Sequence, residues 1–254
     1  MGIAKQVLRR VLELVLPNSS RHYLYLYNKK FSESMVAGGR VLDAGAGDEP
    51  YRELFGHMQY ESTDFGEVPT KEYAHLTYIC DLCKGIPVES ERYDYIVFNQ
   101  VLEHLPDPQA ALVELARVLK PGSRILCSAP LFYEEHMQPY DYFRYTQFAY
   151  RHMFAQAGLR IESLERLEGY FGTTAYMLEC VSKYLPLLPH TENLGSALLI
   201  LLIWPFVFLT KIGSLLMAGV FYRMDMMIKI VNVGFPKNYV VIAVKPEAVS
   251  ELGR

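Results

Sequence analysis

His136, Asp141 and Arg144 fall close together in one aromatic stretch with Tyr140, Tyr142 and Tyr145. An imidazole titrates near pH ~6.5, so His136 suits proton removal at neutral pH. Asp141 is placed to orient such a ring. Arg144 is a candidate partner for a phosphate or carboxylate on a substrate. The plainer alternative is that Asp141 and Arg144 pair with each other while His136 braces the loop. A second set lies earlier, where Val41 and Leu42 lead into Asp43, Ala44, Gly45 and Gly47. Glycine is needed where a backbone turns sharply or approaches a ligand. Asp64 follows about twenty residues on, the spacing that suits hydrogen bonds to two ribose hydroxyls. Asp81 with Leu82, and Asn99 with Gln100, each follow a further apolar run. The two sets imply a nucleoside-bearing cofactor on one side and proton transfer on the other.

These residues need strands that end where they begin. The pattern predicts strands near 40–44, 59–63, 76–80, 93–98 and 123–128, with helices near 50–56 and 107–119. The second helix, near 66–75, is expected to be reduced or absent. Asp48 can cap the first helix and Pro50 suits its first turn. Pro121 and Gly122 stop the later one. Thr146 caps a helix to about Ala157, which Gly158 stops. A sixth strand follows near 160–168, and Tyr239–Val244 reads as the last. Strands alternating with helices at this spacing imply a parallel sheet.

Three motifs in this order carry a family likeness. They are Val41–Tyr51, the run Asn99-Gln100-Val101-Leu102-Glu103-His104-Leu105, and Arg117-Val118-Leu119-Lys120-Pro121-Gly122. From about residue 40 to 130 the chain resembles the class I S-adenosylmethionine-dependent methyltransferases, nearest the type 11-like subgroup. It departs from them at Glu49 and Pro50, where many members have a third glycine. The resemblance implies a Rossmann-like seven-stranded α/β sheet whose last strand lies antiparallel beside the sixth. It implies S-adenosyl-L-methionine as cofactor. Asp43, Ala44, Gly45 and Gly47 would form the floor under the methionine part, next to Tyr51. Asp64 and Phe65 would lie at the ribose, Asp81 and Leu82 at the adenine. Asn99 and Gln100 would face the sulfonium, with His104 at the turn beyond.

The net charge of −3 gives no general basic field for nucleic acid. Four cysteines and no signal peptide suggest a reducing compartment. Cys80 and Cys83 form a CxxC with no second pair, so no metal is expected there. Residues 3–16 read as an amphipathic helix with a basic side, for packing or for an anionic membrane surface. Residues 21–35, with Tyr23, Tyr25, Tyr27 and Phe31, are expected to form a helix over the cofactor. Residues 194–222 contain one charge, Lys211, and are too apolar for a helix that merely covers a sheet.

The expected division is 1–36 N-terminal helices, 37–168 cofactor-binding core, 169–236 hydrophobic insertion and 237–254 last strand and tail. Strands flanking the insertion should be neighbours, so the chain must leave a membrane on the side it entered. Two crossings need ~40 apolar residues, more than the run supplies. A monotopic hairpin bent at Pro205 or Gly213 is expected, on the cytoplasmic face of a bacterial or archaeal inner membrane. The function expected is methylation, by preference on oxygen, of a lipid or lipid-linked glycan, polyprenyl or quinone-like acceptor. A buried helix pair or dimer interface remains the alternative for the insertion. A non-catalytic cofactor-binding adaptor, or an enzyme for a soluble small molecule, remains the alternative for the function.

Overall fold

The computed structural model describes residues 18–66, 75–186 and 194–247. The expected helices at 3–16 and near 66–75 lie wholly or largely outside them. The chain divides into two compact units. One comprises Tyr23–Leu167 with the C-terminal segment from Lys237, and the other Glu168–Pro236 with the segment up to His22.

The first unit is a seven-stranded sheet. Its elements are β1 Arg40–Ala44, β2 Gln59–Asp64, β3 Tyr78–Ile79, β4 Tyr93–Asn99, β5 Leu119–Pro130, β6 Arg160–Arg166 and β7 Asn238–Val244. The order is β3-β2-β1-β4-β5-β7-β6, with β1 to β5 parallel and β7 antiparallel to both its neighbours. The parallel run of β1 to β5 and the antiparallel last strand beside the sixth match the expectation. The central strands are apolar throughout because helices cover both faces: Val41, Leu42, Ile96, Val97, Phe98, Ile125 and Leu126 are fully buried. Helix α1, Ser19–Glu33, contributes Tyr23, Leu24 and Phe31 to the core on one face. Helices α2, Pro108–Val118, and α3, Gln147–Gln156, frame the other. Asp107 caps α2 through the Ala110 N–H at 3.0 Å, with Pro108 in the first turn. Thr146 caps α3 through the Ala149 N–H.

Two local expectations are corrected. The helix after the glycine loop shrinks to a single 3₁₀ turn, Arg52–Phe55, because Tyr51 at its N-terminus supplies no side-chain cap. β5 starts at Leu119 rather than 123, since Leu119 already pairs with Tyr93 and the Gly122 N–H bonds to the Lys245 carbonyl.

The second unit is a helical hairpin of α4, Tyr170–Tyr184, and α5, Leu194–Met227. α5 runs helical through both Pro205 and Gly213, with no break at either. Proline removes only one interior hydrogen bond, and the apolar helix formers around it carry the helix past. Two charged side chains of α5, Asp225 and Lys211, meet the ends of α4. Asp225 is buried, accepts the Gly169 N–H at 3.3 Å and lies where a Cβ on Gly172 would stand 2.4 Å from its carboxylate. Lys211 donates to the carbonyls of Ser182 and Leu185 at the other end. An anion thus faces the positive end of the α4 dipole and a cation the negative end. Beyond Lys211 the helix continues past the last turn of α4 for residues 194–210, about 25 Å at 1.5 Å per residue. This overhang carries no charge, and Leu202, Phe206 and Leu209 are 73%, 72% and 65% exposed.

Candidate functional site

The carboxyl ends of β1, β2 and β4 open into a pocket of about 170 Å³. This is where open α/β sheets hold ligands. Gly45, Asp64, Asp81, Leu82, Gln100 and His104 line it, and Phe65, Met137, Tyr140 and Tyr142 form its rim. Of the expected cofactor residues, Asp43, Ala44, Gly47, Tyr51 and Asn99 stand behind this lining rather than in it.

The glycine loop is held by its neighbours. The Gly45 and Ala46 N–H groups bond to the Thr63 carbonyl at 2.7 and 2.9 Å. The Gly47 N–H donates to Asp64 Oδ2 at 2.8 Å, and the Phe65 N–H to Oδ1 at 2.7 Å. The carboxylate keeps lone pairs for a ribose. Asp81 caps its own turn through the Cys83 N–H at 2.9 Å while lining the pocket. Burial raises the Cys80 and Cys83 thiols above their ordinary range, which keeps them protonated.

The glycine loop is more acidic than the motif suggested. Asp43 is buried and accepts the Tyr60 hydroxyl at 2.7 Å. Burial pushes its carboxyl up to about 7 against the pull of that hydrogen bond, and the nearby Glu49 and Asp64 add to the rise. Glu49 has φ 50°, pairs one oxygen with Arg52 at 2.7 Å and leaves the other buried without a partner. A buried orphan oxygen beside a half-neutralised carboxyl fits a cationic amino group such as the one on S-adenosylmethionine. The sequence marked Glu49 only as a departure from a glycine.

Asp43 yields two pH slopes of opposite sign. Between about pH 4 and 7 the folded protein holds a proton the unfolded chain has lost, so apo stability falls as pH rises. Cofactor affinity should instead climb through about 7, because the bound amino group requires the carboxylate. Thermal melts and calorimetry from pH 5.5 to 8.5 should show both trends, and Asp43→Asn should flatten both. A wild-type affinity independent of pH would remove Asp43 from the site.

Behind Gln100 lies a polar network with two members the sequence did not nominate. Asn99 donates to Asn28 of α1 at 2.9 Å and accepts the Ser128 hydroxyl at 2.9 Å, and Gln100 donates to Ser128 at 3.2 Å. Asn99 is thus committed to protein partners. Gln100 has φ 55°, a left-handed turn that tips it toward the pocket.

The histidine corner closes the far side. The His104 and His136 rings meet edge to face at 4.7 Å. His104 lines the pocket and His136 stands behind it. His104 Nδ1 bonds the Tyr140 carbonyl at 2.5 Å, and His136 Nδ1 the Glu134 carbonyl at 3.1 Å. Burial lowers the His104 pKa. Asp141 accepts the backbone N–H of His136 at 2.8 Å. Arg144 forks onto both oxygens of Asp141 at 2.6 and 2.8 Å and donates to the carbonyls of Tyr133, Glu134 and Phe143. This hydrogen bonding holds Asp141 far below the usual carboxylate range. Arg144 is therefore spent on the loop, which corrects its expected role toward an anionic substrate. Glu103, next to His104, is wholly buried with neither oxygen hydrogen-bonded, and burial pushes it up to about 8.

Comparison with known proteins agrees with this geometry. A model of the methyltransferase domain family matches residues 18–165. A ubiquinone biosynthesis O-methyltransferase of Proteus mirabilis is 33% identical over 103 residues, covering 36% of this chain and 42% of that protein. A demethylmenaquinone methyltransferase of Anoxybacillus flavithermus is 30% identical over 97 residues, covering 36% and 41%. The chain thus spans less than half the length of these curated relatives. Among solved structures, an S-adenosylmethionine-dependent methyltransferase of Archaeoglobus fulgidus superposes with a TM-score of 0.52 at 17% identity, covering 89% of this chain and 94% of that one. Phosphoethanolamine N-methyltransferase 2 of Haemonchus contortus, bound to S-adenosyl-L-methionine, gives 0.51 at 17%, covering 88% and 52%. The glycine loop, the acids at three strand ends and the antiparallel seventh strand are those of a class I S-adenosylmethionine-dependent methyltransferase, and the chain belongs to the methyltransferase domain family.

Proposed function

We propose that this protein O-methylates a lipophilic, membrane-borne acceptor from the cytoplasmic face of a membrane, using S-adenosylmethionine. S-adenosylmethionine supplies a methyl group activated by its sulfonium. The protein supplies alignment and a destination for the acceptor's proton. Asp43 and Glu49 receive the amino group, Asp64 the ribose, and Asp81 and Leu82 the adenine. His136, held through Glu134 and Asp141 against His104, receives the proton.

The observation that carries the membrane reading is the bare overhang of α5. Leu202–Met227 is long and apolar enough to cross a bilayer, and most of its apolar window is exposed. The sheet argues against a crossing. Arg166 of β6 pairs with Tyr239 of β7, and the Leu167 N–H bonds to the Asn238 carbonyl, so the excursion starts and finishes at one point. α4, with 15 residues, spans only about 22 Å and cannot serve as a return crossing. A hairpin lying in one leaflet satisfies both facts. Two relatives named for quinone methylation support a lipophilic acceptor.

Cysteines introduced at Thr191 and Lys229 should both react from the cytoplasmic side of sealed vesicles. Labelling from opposite sides would rule out the hairpin, and full solubility without detergent would rule out the membrane. Calorimetry should show S-adenosylhomocysteine binding that Asp64→Ala weakens by about 1–3 kcal/mol. A chain that prefers nicotinamide dinucleotide would sink the central claim.

A further inference from the structure

We propose that Glu103, His104 and His136 form a binding site for one divalent transition-metal ion of the zinc class, set to hold the acceptor's oxygen. The assignment of the oxygen rests on the proposed O-methylation; the ion site does not.

Three observations converge. A carbonyl can only accept, so the bonds to Tyr140 and Glu134 place a proton on Nδ1 of both neutral rings. Each ring then has its Nε2 lone pair free. Histidines that bind metals are usually fixed in this way, through a second-shell carbonyl on the other nitrogen. Next, Glu103 is a buried carboxyl group with no side-chain partner for either oxygen, and Oε1 lies 3.8 Å from His104 Nε2. Burying such a group without a partner is costly, and a cation removes the cost. Finally, one ligand atom from each residue lies within 4.8 Å of the others. Atoms about 2.0–2.2 Å from a shared ion stand roughly 3–4 Å apart, so closure needs shifts of about 1 Å. Two imidazoles and one carboxylate favour zinc-class ions over magnesium or calcium, which prefer oxygen throughout.

Three protein ligands leave a position open, as in catalytic rather than structural sites. His104 belongs both to this cluster and to the pocket lining. An acceptor hydroxyl entering there would bind the ion through oxygen. Its O–H bond breaks, the proton passes to water, and both electrons stay on the oxygen. With the ion bound, the His136 lone pair goes to the ion, and water takes the proton that His136 receives in the ion-free site.

The test uses the full chain in detergent, stripped by chelator and titrated with Zn²⁺ in a calorimeter. One equivalent should bind. Glu103→Gln and His136→Ala should each weaken binding at least tenfold, while S-adenosylhomocysteine affinity stays within a few fold of wild type. Co²⁺ should give a visible d–d spectrum that Glu103→Gln alters, a readout that loop bracing alone would not move. Binding that ignores both variants, or no binding, overturns the site. Full turnover after chelation also overturns the catalytic assignment and leaves His136 as the direct base. Loss of S-adenosylhomocysteine binding by the wild type would fail the methyltransferase reading and leave the ion site standing.

Discussion

His136→Ala should lower methyl transfer to a membrane lipid extract by about 10²–10⁴, the usual contribution of a positioned proton acceptor or its equivalent. Cofactor affinity should remain near wild type, because His136 touches His104 and the loop rather than the glycine turn. That split between turnover and cofactor binding is the informative part. Asp141→Asn offers a contrast. It leaves the ring bond to Glu134 but weakens the fork from Arg144, so it should cost stability first. Unchanged turnover in His136→Ala would make the residue a brace.

Gly45→Ala should cost about 2–4 kcal/mol of stability and most of the cofactor affinity. Gly45 has φ 74°, and a Cβ there would stand 2.3 Å from Val101 Cγ2. Backbone strain and overpacking therefore act together. The clash part is separable. Val101→Ala removes the opposing methyls, so the double variant should recover part of the loss, and a thermal-melt double-mutant cycle measures how much. Full additivity would show that the strain at φ 74° is the whole effect. Wild-type stability in the single variant would mean the loop is not held as described.

The sheet was legible because its signals are local. An apolar run, an acid, a glycine and a cap each declare themselves within a few residues, and Asp43, Asp64 and Asp81 could be read from strand ends alone. Helix α5 defeated the same method. Pro205 and Gly213 predict a break only if packing or solvent rewards one, and an apolar helix with few alternatives simply continues. Partners far apart in sequence were also out of reach. Asn99 meets Asn28 across 71 residues, and Lys211 reaches the end of α4 across 29. Arg144 had two readings, a partner for an anionic substrate or for Asp141, and the local one, three residues away, is the pair observed. Glu103 was passed over because its motif carries a glutamate whose burial no pattern reveals.

The two charges that close the ends of α4 also settle where it can sit. Apolar helices packed side by side can slide, because one greasy contact replaces another at little cost. Lys211 and Asp225 are fourteen positions apart, about 21 Å along α5, which matches the length of the 15-residue helix between them. A slip of one turn, about 5.4 Å, would strip both charges of their partners at once, and Asp225 is buried where water cannot replace them. The hairpin therefore has a single seat, keyed at both ends like a bolt, and neither helix can slide along the other without drawing both keys.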